Sequence, residues 1–151
     1  MNDIYLEAKE FGWTEDSFVS PLEKLDCKNC ALDIRLPLLC TLSSLVEGHS
    51  FDGWDGEDAC ALNGASFYSA VSFVEKLPVG MPMPDVQVDA DGEVSFEWYK
   101  SPLQVCSITF ASDGRYHCVL LDGEKEVATT TNSAETAKQN MGDWADVRLA
   151  A

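Results

Sequence analysis

Nine carboxylates crowd two short stretches of the chain, Asp52, Asp55, Glu57 and Asp58 in the first and Asp85, Asp89, Asp91, Glu93 and Glu97 in the second. Carboxylates two residues apart on a strand stand about 6.6–6.8 Å from one another, comparable to neighbouring phosphates on one nucleic-acid strand. DNA carries one charge per about 1.7 Å of axis, and proteins that bind it present Lys/Arg grooves matched to that density. An array of carboxylates can occupy such a groove. The chemistry this implies is electrostatic recognition of a basic protein surface; the plain alternative is a solvated acidic face.

A second set of residues has the types that zinc accepts: Cys27 and Cys30 in a C-x-x-C, followed by Cys40 and His49. A second closely spaced pair is missing, and Cys40 lies within an apolar run, so half of a zinc pattern is present. The Asp52–Asp58 loop does not match the calcium loop of an EF-hand. No cofactor is therefore expected. For nucleophilic catalysis the chain offers two imidazoles, His49 and His117. His117 and Cys118 are adjacent on a strand and point to opposite faces. Cys40 or Cys60 with His49 lacks any local signature of a nucleophile. The chain reads as a non-enzymatic protein.

The elements that must position these groups belong to a chain of 151 residues, the size of a single domain that buries roughly 70% of its unfolded surface. With 46% hydrophobic residues, including four Trp and seven Phe, it can build a core. Its 26 acids against 10 bases leave a net charge of −16, beyond the roughly 2–8 units that keep a small domain soluble. Such a field repels nucleic acid and anionic membrane and attracts cationic surfaces. Without a membrane-length apolar run or a signal-peptide start, the expected location is cytoplasmic. There the six cysteines stay reduced, and Cys106 and Cys118 serve as small buried residues on strands.

In chain order, residues 1–50 read as mainly helical. Ser20-Pro21-Leu22-Glu23 resembles a capped helix start, giving a short helix at about 21–26. Leu38, Leu39, Leu42, Leu45 and Val46 form one helical face after Pro37, ending at Glu47-Gly48 with the glycine in the left-handed cap conformation. The acidic loop from His49 to Ala59 follows, with Trp54 as its anchor in the core. Asn63 caps the main helix, whose stripe is Phe67, Ala70, Val71, Val74 and Leu77. The three prolines Pro78, Pro82 and Pro84 force an extended crossing to the sheet. Asp85–Val88 is a short strand, Asp89-Ala90-Asp91-Gly92 a hairpin turn, and Glu93–Tyr99 a strand with Val94, Phe96 and Trp98 on one face. Leu103–Ala111 makes the next strand, with a phase change that suggests a bulge near Ser107. Tyr116–Leu121 and an edge strand at Glu126–Thr131 complete the sheet, and residues 133–151 form a short helical tail. The whole is an α+β single domain: residues 51–132 form an antiparallel meander of three to four strands packed on one main helix, with the N-terminal helical region added.

Four segments resemble a pattern met in small uncharacterised proteins of bacteria and their mobile elements. They are Trp54-Asp55-Gly56, a helix ending in Glu75-Lys76-Leu77-Pro78, Pro82-Met83-Pro84-Asp85-Val86, and Asp91-Gly92-Glu93-Val94-Ser95-Phe96-Glu97-Trp98. The resemblance covers about residues 53–116, under half of the chain. It implies a related fold and a phage or mobile-element setting, and it carries over no catalytic residues. Where that pattern has an aromatic and a small residue after W-D-G, this chain has Glu57 and Asp58, which adds acid to the loop.

The leading expectation is thus an interaction protein whose acids bind a basic partner, inhibiting a nucleic-acid-binding complex by competing with its DNA or RNA, as an anti-CRISPR or other anti-defence protein would. One alternative is a small zinc-stabilised or cysteine-dependent enzyme or regulator built on Cys27, Cys30, Cys40 and His49. Another is an accessory domain of a toxin–antitoxin system.

Overall fold

Alternating apolar residues make strands only when a second layer covers one face. In this protein three helices share that work. The computed structural model describes residues 33–142; the proposed helix at 21–26 and the Cys27/Cys30 pair lie outside them. The order is α1 (Arg35–His49), α2 (Gly64–Val74), β1 (Asp85–Val88), β2 (Val94–Ser101), β3 (Gln104–Phe110), β4 (Tyr116–Asp122), β5 (Lys125–Thr131) and α3 (Ala134–Asn140). The strands form one antiparallel meander in the order β1-β2-β3-β4-β5. The α+β class is as expected, with five strands where three to four were expected.

Period-two alternation puts Val94, Phe96 and Trp98 of β2, Cys106, Ile108 and Phe110 of β3, and Tyr116 and Cys118 of β4 on one buried face. The helices lie across it in sequence: α1 beside β1, α2 over β2 and β3, α3 over β4 and β5. Phe67, Val71, Val74 and Leu77 join the strand residues in one core cluster, as the helical stripe predicts. Phe73, outside that stripe, is also fully buried. Its ring lies 5.5 Å from Phe110 and 6.0 Å from Tyr116. Both partners are strand residues, so Phe73 is buried against the sheet beside the stripe, while α1, which buries Leu38, Leu39 and Leu42, packs on α2 as well.

The helix boundaries correct two expectations. α1 begins at Arg35, ahead of Pro37, because a proline in the first turn gives up an N–H that has no intrahelical partner there. Gly48 stays within the helix, and the first left-handed glycine after it is Gly53. At the head of α2, Asn63 caps as expected, its side chain accepting from the Ser66 N–H at 2.9 Å. The irregularity in the sheet lies between Tyr99 and Ser101, and the β2–β3 register is unbroken through Ser107. Lys100 is the extra residue, absorbed beside the turn rather than mid-strand. No helix among the described residues is long and apolar enough to cross a membrane.

Candidate acidic docking site

The first acidic stretch is held in shape by its own carboxylates. Asp52 Oδ1 accepts from the Ala61 N–H at 2.9 Å, and Asp55 Oδ1 accepts from Glu57 at 2.8 Å and Ala59 at 3.3 Å. Gly53 and Gly56 take the positive φ values the turns require. Trp54 pins the loop from outside the core: its Nε1–H donates to the Cys60 carbonyl at 2.7 Å, and its ring meets that of His49 edge-on at 4.4 Å. It is part-exposed and no member of the core cluster, which corrects its expected placement. Among the described residues the side chains of Glu57 and Asp58 are exposed and engaged by no hydrogen bond or ion pair.

The loop docks on the turn of the β1–β2 hairpin. The Cys60 N–H donates to the Ala90 carbonyl at 2.7 Å and the Asn63 N–H to the Gly92 carbonyl at 2.8 Å. Contact is close enough that a Cβ on Gly92, whose φ is +86°, would stand 2.3 Å from the Ala61 carbonyl oxygen. Two acidic stretches about thirty residues apart in sequence thus become neighbours.

On the hairpin itself the register decides which acids face each other. Asp85 is paired with Glu97 and Gln87 with Ser95. The ladder continues with the Asp89 N–H donating to the Glu93 carbonyl at 2.8 Å, so Asp89 stands opposite Glu93. Since Val86, Val88, Val94 and Phe96 point inward, alternation turns all four acids to the outer face, which no described helix covers. The two like-charge pairs lie about 13 Å apart along the strands. Burial pushes the Asp89 carboxyl above the usual carboxylate range, and the charges of Asp91 and Glu93 push it the same way. Glu93 Oε1 also accepts from the Ser112 N–H at 2.7 Å, and Asp91 Oδ1 from the Glu93 N–H at 3.0 Å, which fix the rims of the hairpin.

The ion pairs among the described residues are Arg35–Asp33, Lys76–Glu135 and Arg115–Asp113. They neutralise none of the nine acids singled out in the sequence. The outward positions of the strands, including Tyr99, Val105, Ser107, Thr109, His117, Val119 and Leu121, carry no Lys or Arg. The opposition of Asp85 to Glu97 and of Asp89 to Glu93 is a feature that sequence spacing missed. Its signal was the turn length, which sets the register of a hairpin.

Among the described residues the cysteine and histidine candidates do not converge. Cys40 and His49 both belong to α1, nine residues and therefore about 13.5 Å apart along its axis and half a rotation apart around it. One metal ion cannot take both. His49 Nδ1 lies 2.7 Å from the Leu45 carbonyl oxygen. No group of three or more His, Cys, Asp or Glu among the described residues is placed to hold a metal ion. His117 faces outward with its Nδ1 2.9 Å from Thr130 Oγ1, while Cys118 is buried beside Cys106. The hydrogen bond between those two thiols, reinforced by burial, holds Cys106 far above the ordinary thiol range. Both thiols are shut off from solvent. No protein-family model, curated protein or solved structure matches the chain.

Proposed function

We propose that this protein is a non-enzymatic interaction protein that uses Asp52, Asp55, Glu57, Asp58 and the hairpin acids Asp85, Asp89, Asp91, Glu93 and Glu97 to bind a basic partner. The partner is the Lys/Arg groove of a nucleic-acid-binding complex, and binding inhibits it by keeping its DNA or RNA out, in the manner of an anti-CRISPR or other anti-defence protein. The observation that carries the reading is the pair of like-charge oppositions on the hairpin, which no ion pair among the described residues neutralises and which face away from the described helices. Like charges directly opposite on a sheet are destabilising. A cationic groove relieves that repulsion, so part of the binding energy is stored in the unbound protein.

Contacts of this kind steer association and weaken with salt. The test is binding of the wild-type chain to bacterial nucleic-acid-binding complexes, read as displacement of labelled DNA or RNA, over about 50 to 300 mM NaCl. The wild type is expected to displace nucleic acid and to weaken well over about threefold across that range. A variant with Asp85→Asn, Asp89→Asn, Glu93→Gln and Glu97→Gln, which keeps the shapes and removes four charges, is expected to fail. Salt-independent binding, or full displacement by the amide variant, overturns the reading.

A further inference from the structure

A sheet that does not close has two edges, and each presents a row of backbone groups able to pair with another chain. The two edges here are built differently. β1 is four residues long, is entered from Pro82 and Pro84, and has Asp85 and Asp89 at its ends. Short length, proline and charge are the usual guards of an edge. β5 is seven residues long, has no proline, and keeps an unbroken register with β4 from Lys125 to Thr131. Its run Val127-Ala128-Thr129-Thr130-Thr131 is uncharged, Val127 is 38% exposed, and no described strand pairs with its far side.

We infer that the far edge of β5, unpaired among the described residues, is a self-association surface, on which a second copy of the chain pairs β5 with β5 antiparallel about a two-fold axis at Ala128. The hydrogen-bond phase limits the register and the number of bonds selects it, since axes at Val127 or Thr129 are also in phase but make about four bonds within the strand against about six for Ala128. Asp122 pairs with Lys125 around the two-residue turn Gly123-Glu124, and such a turn is closed by a hydrogen-bonded pair. Alternation then directs the backbone groups of residues 125, 127, 129 and 131 to β4 and those of Glu126, Ala128 and Thr130 to the edge. An axis at residue 126 would set Glu126 against its own copy. An axis at residue 130 would carry the pairing past Thr131, the end of the strand. The axis at Ala128 sets alanine against alanine and Glu126 against Thr130, with no like charges opposed and about six new backbone hydrogen bonds.

At −16 per copy, net charge works against bringing two copies together, and screening limits its reach to this edge. The acidic hairpin lies three to four strand spacings away, roughly 14–19 Å, against a screening length of about 8 Å at physiological salt. Within β5, Lys125 and Glu126 cancel. The resulting sheet has ten strands, the upper end of what open twisted sheets sustain, and displays one acidic hairpin at each extremity. The surface is independent of what the acids bind.

Sedimentation of the full-length chain over about 10–300 µM tests it, with a dimer of twice 16.6 kDa expected. Ala128→Pro removes an edge-facing N–H and spares the bonds to β4, so it is expected to sediment as a monomer. Ala128→Lys and Ala128→Glu place like charges on the axis at an exposed position; each alone is expected to be monomeric, and an equimolar mixture to recover the dimer. Far-UV circular dichroism of the Lys and Glu variants, expected to match the wild type, separates loss of pairing from loss of fold. A wild type that stays monomeric to 300 µM, a dimer that survives the charge variants, or a mixture that does not reassociate overturns the inference.

Discussion

Ser66 is the buried polar side chain of the described core. Its hydroxyl donates to the carbonyl of Phe110, the last residue of β3, and accepts from the N–H of Val94, the first of β2, at 2.7 Å. One side chain on the first turn of α2 therefore joins helix and sheet where the backbone would otherwise leave a donor and an acceptor unpaired. Removing it strands both groups in the core, and an unsatisfied buried group costs about 1–3 kcal/mol. Ser66→Ala is expected to lower the unfolding free energy by about that much, measured by urea denaturation, with the slope of the transition unchanged. A loss under half a kcal/mol would mean that water or backbone adjustment replaces the hydroxyl.

At the scale of the element, the β1–β2 hairpin trades stability for charge. Its inner face is bound into the core through Val88, Val94, Phe96 and Trp98, and the Trp98 Nε1–H reaches back to the Pro82 carbonyl at 2.7 Å to fix the entry of β1. That anchoring holds the outward acids in opposition although they repel. Glu97→Gln is expected to stabilise the unbound protein by about 0.2–1 kcal/mol, seen as a higher urea midpoint, and to weaken binding of the basic partner. Destabilisation by that change would show that the Glu97 carboxylate makes a stabilising contact in the native state.

For the whole molecule, 26 acids against 10 bases leave repulsion as a standing cost of compactness. The three ion pairs among the described residues involve exposed or part-exposed side chains, and such pairs contribute little. Screening therefore removes more repulsion than attraction. Raising NaCl from about 20 to 300 mM is expected to raise Tm, by roughly 2–8 °C for each kcal/mol of repulsion screened. A flat or falling Tm would mean that the surface charges are already balanced in the native state.

Local chemistry determined much of this protein directly from its sequence. The cap at Asn63, the glycine turn at Gly92, the proline crossing and the alternation of Val94, Phe96 and Trp98 each follow from the residues at those positions and their neighbours. The burial of Phe73 was not legible, because it depends on packing against Phe110 and Tyr116, strand residues distant in sequence. The bulge was misplaced because Val105 and Cys106 are both apolar, which hides the face a strand residue takes until its partners are known. For the acids, composition and spacing named the two stretches. Only the tertiary structure brought the loop against the hairpin turn and set Asp85 opposite Glu97, since register and docking are properties of backbone pairing between segments that no single stretch encodes.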